Sequence, residues 1–159
     1  MSEHHRIVLT SDGLWDYSLV HYPKIQQLLL HLQDNYQLNV NLFLLCGYAE
    51  QQGCAIDELQ LSSLLSHCQQ WQQQLISPFR ALRRELKSQL NTKQYQSMLA
   101  MELSLERQQQ QQLVSCLPEL PTDNPEAQAN ILSCLIFSGV ALESLTSEQL
   151  ASLMMLNQK

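Results

Sequence analysis

Four basic side chains and two acidic ones are spaced so that they can meet. Arg80, Arg83, Arg84 and Lys87 stand at i, i+3, i+4 and i+7, which makes one basic stripe on a helix face. Glu102 and Glu106 are four residues apart and share a face in the same way. Asn91-Thr92 between them reads as a turn. An antiparallel hairpin centred near Lys93 sets Arg84 level with Glu102 and Arg80 level with Glu106, so two ion pairs follow from the geometry. The first reading is a clamp that holds the hairpin, since ion-pair networks are commonly structural. The second is an anion site for phosphate or carboxylate, which the planar forks of arginine suit. A nucleic-acid contact comes third, because one stripe of four cations is a thin footprint on an acidic chain.

Other residue types offer less. His4, His5, His21, His31 and His67 match no metal spacing such as H-E-x-x-H. His67 and Cys68 are adjacent, but adjacent helix residues diverge by about 100 degrees, and Cys68 lies on an apolar stripe. Asp34, Asn35, Asn39 and Asn41 invite a calcium loop. That fails in detail: counted from Asp34, the sixth position is Asn39 where glycine is required, and the twelfth is Leu45 where a bidentate glutamate is required. Capping of helix ends explains these amides better, with Asp34 at one end and Asn39 at the next start. There is no glycine-rich phosphate loop and no G-x-S-x-G. Trp15 and Trp71 read as core anchors. No catalytic residue, metal or cofactor is expected.

The totals narrow the class further. A chain of 159 residues favours one domain. Charged residues make up 15%, against about 25% in an ordinary soluble domain, and glutamine takes their place. The net charge of −6 counts against general nucleic-acid binding, which needs a positive field. Five cysteines without a C-x-x-C pair, and a polar start in place of a signal peptide, point to free thiols in a reducing cytoplasm. The run Leu42 to Cys46 is far shorter than the roughly 20 apolar residues of a membrane span.

The elements that position these residues are helical. Glycine is scarce and Leu, Gln, Glu, Ala and Met dominate. The fold class is therefore all-α: a bundle of about six helices over 1–117, then a Pro-punctuated extension over 118–159 whose two short helices pack back on the bundle. The first helix runs from about Asp12 to His21 with Ser11 as cap, and Pro23 opens the second. The third is about Val40 to Gln52, stopped by Gly53. The fourth starts at Asp57 and carries Leu61, Leu64, Leu65, Cys68, Trp71 and Leu75 at helical spacing. Ser77-Pro78 begins a fifth with Phe79, Leu82, Leu86 and Leu90 on one face, a kink in one long helix being the alternative. Thr92 caps a long sixth helix to about Leu117, and Gln108 to Gln112 are expected on its solvated surface. Leu117 to Pro125 is a linker. Asn124 caps the next short helix, and Thr146 with Gln149 forms a capping box on the last.

Trp15, LQD at Leu32 to Asp34, VNLFLL at Val40 to Leu45, Trp71, PFRALRRELK at Pro78 to Lys87 and MELSLE at Met101 to Glu106 occur in a familiar order. The chain resembles, from Trp15 to Leu113, a family of uncharacterised proteobacterial proteins of about this length, a domain of unknown function. That pattern favours a glycine in the loop after LQD and a tryptophan after the apolar run; here Asn35 to Leu38 and Tyr48 stand there. The resemblance implies a cytoplasmic bacterial protein with no assigned activity.

These readings lead to a non-enzymatic interaction or adaptor module that accepts a protein partner or a second copy of itself. The alternative is a small anionic-ligand site, for binding or for catalysis, around Arg80 and Arg84. RNA or ribosome contact is the third reading.

Overall fold

A computed structural model describes residues 5–158, which leaves His4 outside the described residues. In chain order it contains strand β1 (Arg6–Ile7), helices α1 (Ser11–Tyr36), α2 (Val40–Gln51), α3 (Glu58–Trp71), α4 (Ser77–Leu86) and α5 (Thr92–Ser115), strand β2 (Leu120–Pro121), and helices α6 (Asn130–Phe137) and α7 (Ser147–Met154). The fold is all-α apart from the two short strands, which pair antiparallel with Arg6 opposite Pro121 and Ile7 opposite Leu120.

Helix α2 lies at the centre. Asn41 through Gly47 are buried without interruption, as are Ala49 and Glu50. A helix that is apolar all round must be enclosed on all sides. Here α1, α5 and α6 enclose it, together with the 3-10 turn Met155–Asn157. The segment after Leu117 supplies Ile131, Cys134, Leu135, Val140, Leu153 and Leu156 to the same core as Leu14, Leu29, Phe43 and Leu64. The expected linker is tied to the body: besides the strand pairing, Thr122 N–H donates to His5 O at 2.8 Å.

The two helices expected on either side of Pro23 are one. Proline removes a backbone hydrogen bond and crowds the preceding turn. The chain answers with a kink at Ile25 (φ −129°, ψ 15°) and continues, because both halves have apolar faces to bury: Leu14 and Tyr17 before the kink, Leu29 and Leu32 after it. The same holds at Ser77-Pro78. Ser77 makes no cap, and α3 and α4 join through a π-helical turn, Gln72–Ile76, in which Ser77 N–H donates to Gln72 O.

That wide turn corrects two expected faces. A π turn inserts one residue, so the buried stripe of α3 passes to Ile76 while Leu75 is exposed. The face of α4 turned to α5 is then Phe79, Arg80, Arg83 and Leu86, and Leu82 is left exposed.

The caps also need correction in part. Asp34 lies inside the last turn of α1 and makes no side-chain hydrogen bond among the described residues. The helix ends three residues later on Gln37, which takes the left-handed conformation (φ 58°) and donates to Gln33 O. Thr10, not Ser11, caps α1, accepting from Gly13 N–H at 3.0 Å. Asn91, not Thr92, caps α5, with Gln94 closing a capping box. Each real cap precedes the expected one by a single residue, and both members of each pair are acceptable types. Asn39 does cap α2, accepting from Leu42 N–H at 2.9 Å. Asn124 caps the 3-10 turn Pro125–Ala129, and Thr146 with Gln149 caps α7. Among the described residues no helix is long and apolar enough to cross a membrane.

Candidate functional site

The hairpin of α4 and α5 brings the charged stripe together: of the two expected pairs, Arg80–Glu106 forms and Arg84–Glu102 does not. Arg80 Nε donates to Glu102 Oε1 at 2.7 Å and Arg80 Nη2 donates to Glu106 Oε1 at 2.8 Å. The second partner of Glu102 is Arg83, through Nε to Oε2, and not Arg84. Arg83 Nη1 also donates to Tyr95 Oη at 2.7 Å. Arg84 is exposed and forms no ion pair among the described residues. The expected register came from matching positions across a hairpin centred near Lys93. The face actually presented after the π turn runs through positions 80 and 83, and position 84 is rotated about 100° from 83. Lys87 is exposed, its ammonium 5.5 Å from the centre of the Tyr95 ring. The stripe is thus divided: Arg80 and Arg83 are inward and paired, Arg84 and Lys87 outward.

The network continues into the core through residues that the sequence reading assigned elsewhere. Asn41 Nδ2 donates to Glu106 Oε2 at 2.6 Å and to Gln109 Oε1 at 2.7 Å. Gln110 Nε2 donates to Asn41 Oδ1 and to Ser18 Oγ, both at 3.0 Å. Ser18 Oγ in turn donates to Leu14 O at 2.7 Å. Asn41 is therefore the meeting point of α2 and α5 and caps nothing. Gln109 and Gln110, expected on a wet helix surface, are each 1% exposed. The signal was present in the spacing. Glu102, Glu106, Gln109, Gln110 and Leu113 fall at i, i+4, i+7, i+8 and i+11, the core-facing stripe of a helix written in polar residues. An amide in the apolar run of α2 was the second sign, because a buried amide needs partners.

Above this network opens a cleft of about 470 Å³ between α1, α2 and α5. Its walls are mainly Trp15, Leu19, Tyr22, Leu30, Val40, Leu44, Leu99 and Leu103, with Gln26, Gln33 and Gln72 among them, and its polar floor includes Arg80, Glu102, Glu106, Asn41, Gln109 and Gln110. Leu19 is 60% exposed and Leu103 is 55% exposed, so apolar lips face each other across the opening. Trp15 is part of this wall rather than a core anchor, with the Arg107 guanidinium 5.2 Å from its ring centre. Trp71 stands behind, its indole N–H donating to Leu105 O at 3.3 Å.

The four charges of the network sum to zero. Burial would raise the Glu102 carboxyl, but hydrogen bonds from Arg83 and Arg80 outweigh it and hold Glu102 below the ordinary carboxylate range. For Glu106 burial prevails over the Arg80 charge and the Asn41 hydrogen bond, and the carboxyl is raised. Burial is the largest influence on both, and it is overcome at Glu102, which has two guanidinium partners, but not at Glu106, which shares one. Two polar groups retain capacity. Arg80 Nη1 makes no hydrogen bond among the described residues, and Gln110 Oε1 is buried without a partner. Both carboxylates are paired with arginine, so the polar part of the cleft carries matched charges.

Elsewhere, no group of three or more His, Cys, Asp or Glu side chains among the described residues can hold a metal ion. Cys46, Cys54, Cys68 and Cys134 are buried and Cys116 is exposed. Burial pushes the Cys68 thiol well up, which suits a core residue, and the neighbouring His67 is exposed.

No curated protein and no solved structure matches the chain. One family model does, over residues 13–113, close to the Trp15 to Leu113 span of the resemblance. That span contains α2 to α4 and nearly all of α1 and α5, and so the whole cleft and its floor, and the chain belongs to the family described as protein of unknown function (DUF2390).

Proposed function

We propose that the protein is a binding module whose cleft between α1, α2 and α5 receives the apolar body of a small amphipathic molecule. The observation that carries this reading is the cleft itself: about 470 Å³, apolar walls and a few converging polar groups, which is the ordinary make-up of a ligand site. An exposed cationic stripe fits less well. Arg80 and Arg83 have carboxylates at hydrogen-bond distance, and a neutralised guanidinium has little net pull on a free anion. The buried free thiols fit a reducing cytoplasm as its compartment.

Trp15 provides the test. In a Trp71→Phe variant it is the sole tryptophan. Titration with octanol should shift its emission to the blue, and Leu103→Glu, at an exposed lip, should abolish the shift while leaving the circular dichroism spectrum unchanged. An emission that stays constant up to the solubility limit of octanol would sink the reading.

Leu19, Leu99 and Leu103, exposed on the lips, favour a second reading in which the same cleft accepts a helix of a protein partner. Leu19 to Leu30 on α1 spans roughly 16 Å at 1.5 Å per residue, room for three turns read at i, i+4 and i+7. A second copy of this chain is the simplest partner to test. Dimerisation seen by sedimentation, and lost in Leu103→Glu, would support that reading over the first.

A further inference from the structure

We infer that the ligand of the cleft ends in a neutral group that both accepts and donates hydrogen bonds, a carboxamide being the simplest. This rests on the cleft reading above and goes one step further, to the chemistry of the polar end.

The floor carries two carboxylates, Glu102 and Glu106, and Arg80, with Arg83 behind Glu102. Their formal charges cancel. An ionic head would leave water for a region with no net opposite charge, and desolvation would go largely uncompensated. A neutral head avoids that cost if its hydrogen bonds are met. The floor can meet both kinds. Arg80 Nη1 has two N–H groups with no partner among the described residues, and they are available to a carbonyl oxygen. Beside it, Glu106 accepts one hydrogen bond from Arg80 and one from Asn41, and a carboxylate has about four lone-pair sites. Spare acceptor capacity therefore lies next to the spare donor, as an amide C=O and N–H require. The apolar walls above, from Leu19, Leu44 and Leu103, take the body.

The experiment compares three probes with one tail, namely octanamide, octanoate and octylammonium, by isothermal titration calorimetry on the full chain. The wild-type protein should bind octanamide at least about ten-fold more tightly than either charged analogue. Glu106→Gln leaves the floor one charge positive and should move the preference toward octanoate. Arg80→Gln leaves it one charge negative and should move it toward octylammonium. Equal affinity for the three probes overturns the head-group inference and leaves the cleft reading standing, as does tightest binding of a charged probe to the wild type. An unchanged preference in both folded variants overturns it as well. Binding of none of the three overturns the cleft reading and this inference together.

Discussion

Arg80 joins two carboxylates of one helix: its Nε is 2.7 Å from Glu102 Oε1 and its Nη2 is 2.8 Å from Glu106 Oε1. Glutamates four residues apart stand one above the other on α5, and the planar fork of arginine is wide enough to take both. Arg83 completes the set from one turn further along α4. Coupling should therefore be measurable for Arg80–Glu102 and Arg83–Glu102, and near zero for Arg84–Glu102. Double-mutant cycles read by urea unfolding should give about 1–2 kcal/mol for the first two pairs. Coupling of that size at Arg84 with none at Arg83 would restore the Arg84–Glu102 pairing expected from the sequence.

Asn41 holds together three side chains of α5. Asn41→Ala removes two donors and an acceptor at once and leaves Glu106, Gln109 and Gln110 short of partners in a buried place. The expected loss is about 2–3 kcal/mol, the cost of leaving buried polar groups unsatisfied. Asn39→Ala, which removes only a cap, should cost about 1 kcal/mol. Unfolding midpoints that place the two variants in the opposite order would contradict the role of Asn41 as the hub.

Tyr17 fastens the end of the chain to the core, its hydroxyl donating to Leu156 O at 2.7 Å. The hydroxyl passes so close to Gly47 that a Cβ there would collide with it. Gly47→Ala should destabilise by about 1–3 kcal/mol, as overpacking does, and Tyr17→Phe by about 1 kcal/mol. The two should not add, because once the hydroxyl is gone the added methyl meets less. Full additivity in thermal melts would contradict the close approach as the reason for glycine.

Glu50 gives the protein a pH dependence of known sign. Burial raises its carboxyl above the ordinary value of 4.5, only partly opposed by hydrogen bonds that include Ile131 N–H, and its Oε2 has no partner. The folded chain thus binds this proton more tightly than the unfolded chain does. Its contribution to stability is full below pH 4.5 and is lost as pH rises through the folded pKa. Glu50→Gln cannot lose it. The melting temperature of the variant minus that of the wild type should therefore increase from pH 4.5 to neutral pH. A difference that is flat or falls over that range would mean the carboxyl is not held up.

The helices were legible from different signals: α3 from its regular apolar spacing, α2 from its Asn39 cap, apolar run and Gly53 stop, and the two C-terminal helices from their caps and propensity. Asn39, Asn124 and Thr146 cap as their types and neighbours suggest. What sequence missed depends on tertiary packing. Whether Pro23 ends a helix or kinks it is decided by what Leu29 and Leu32 can bury beyond it, which no local rule contains. Arg80 meets Glu106 as the register predicted, but the second inward position of α4 is 83 and not 84, so Glu102 takes Arg83 in place of Arg84. Gln109 and Gln110 read as surface because glutamine usually is surface; only their phase relative to Glu102, Glu106 and Leu113 marks them as buried. The cleft itself was not legible, since Trp15, Leu44 and Leu103 come from three helices far apart in sequence.

The central claim is that the cleft over the Arg80–Glu102–Glu106 floor binds the apolar body of a ligand. Amide chemical-shift mapping of the isotopically labelled chain during titration with octanol tests it most directly. The account predicts saturable shifts concentrated at Trp15, Leu19, Leu44, Leu99 and Leu103, with the α6 and α7 amides unmoved. Saturable shifts confined to α6 and α7, or none up to the solubility limit of octanol, would contradict it.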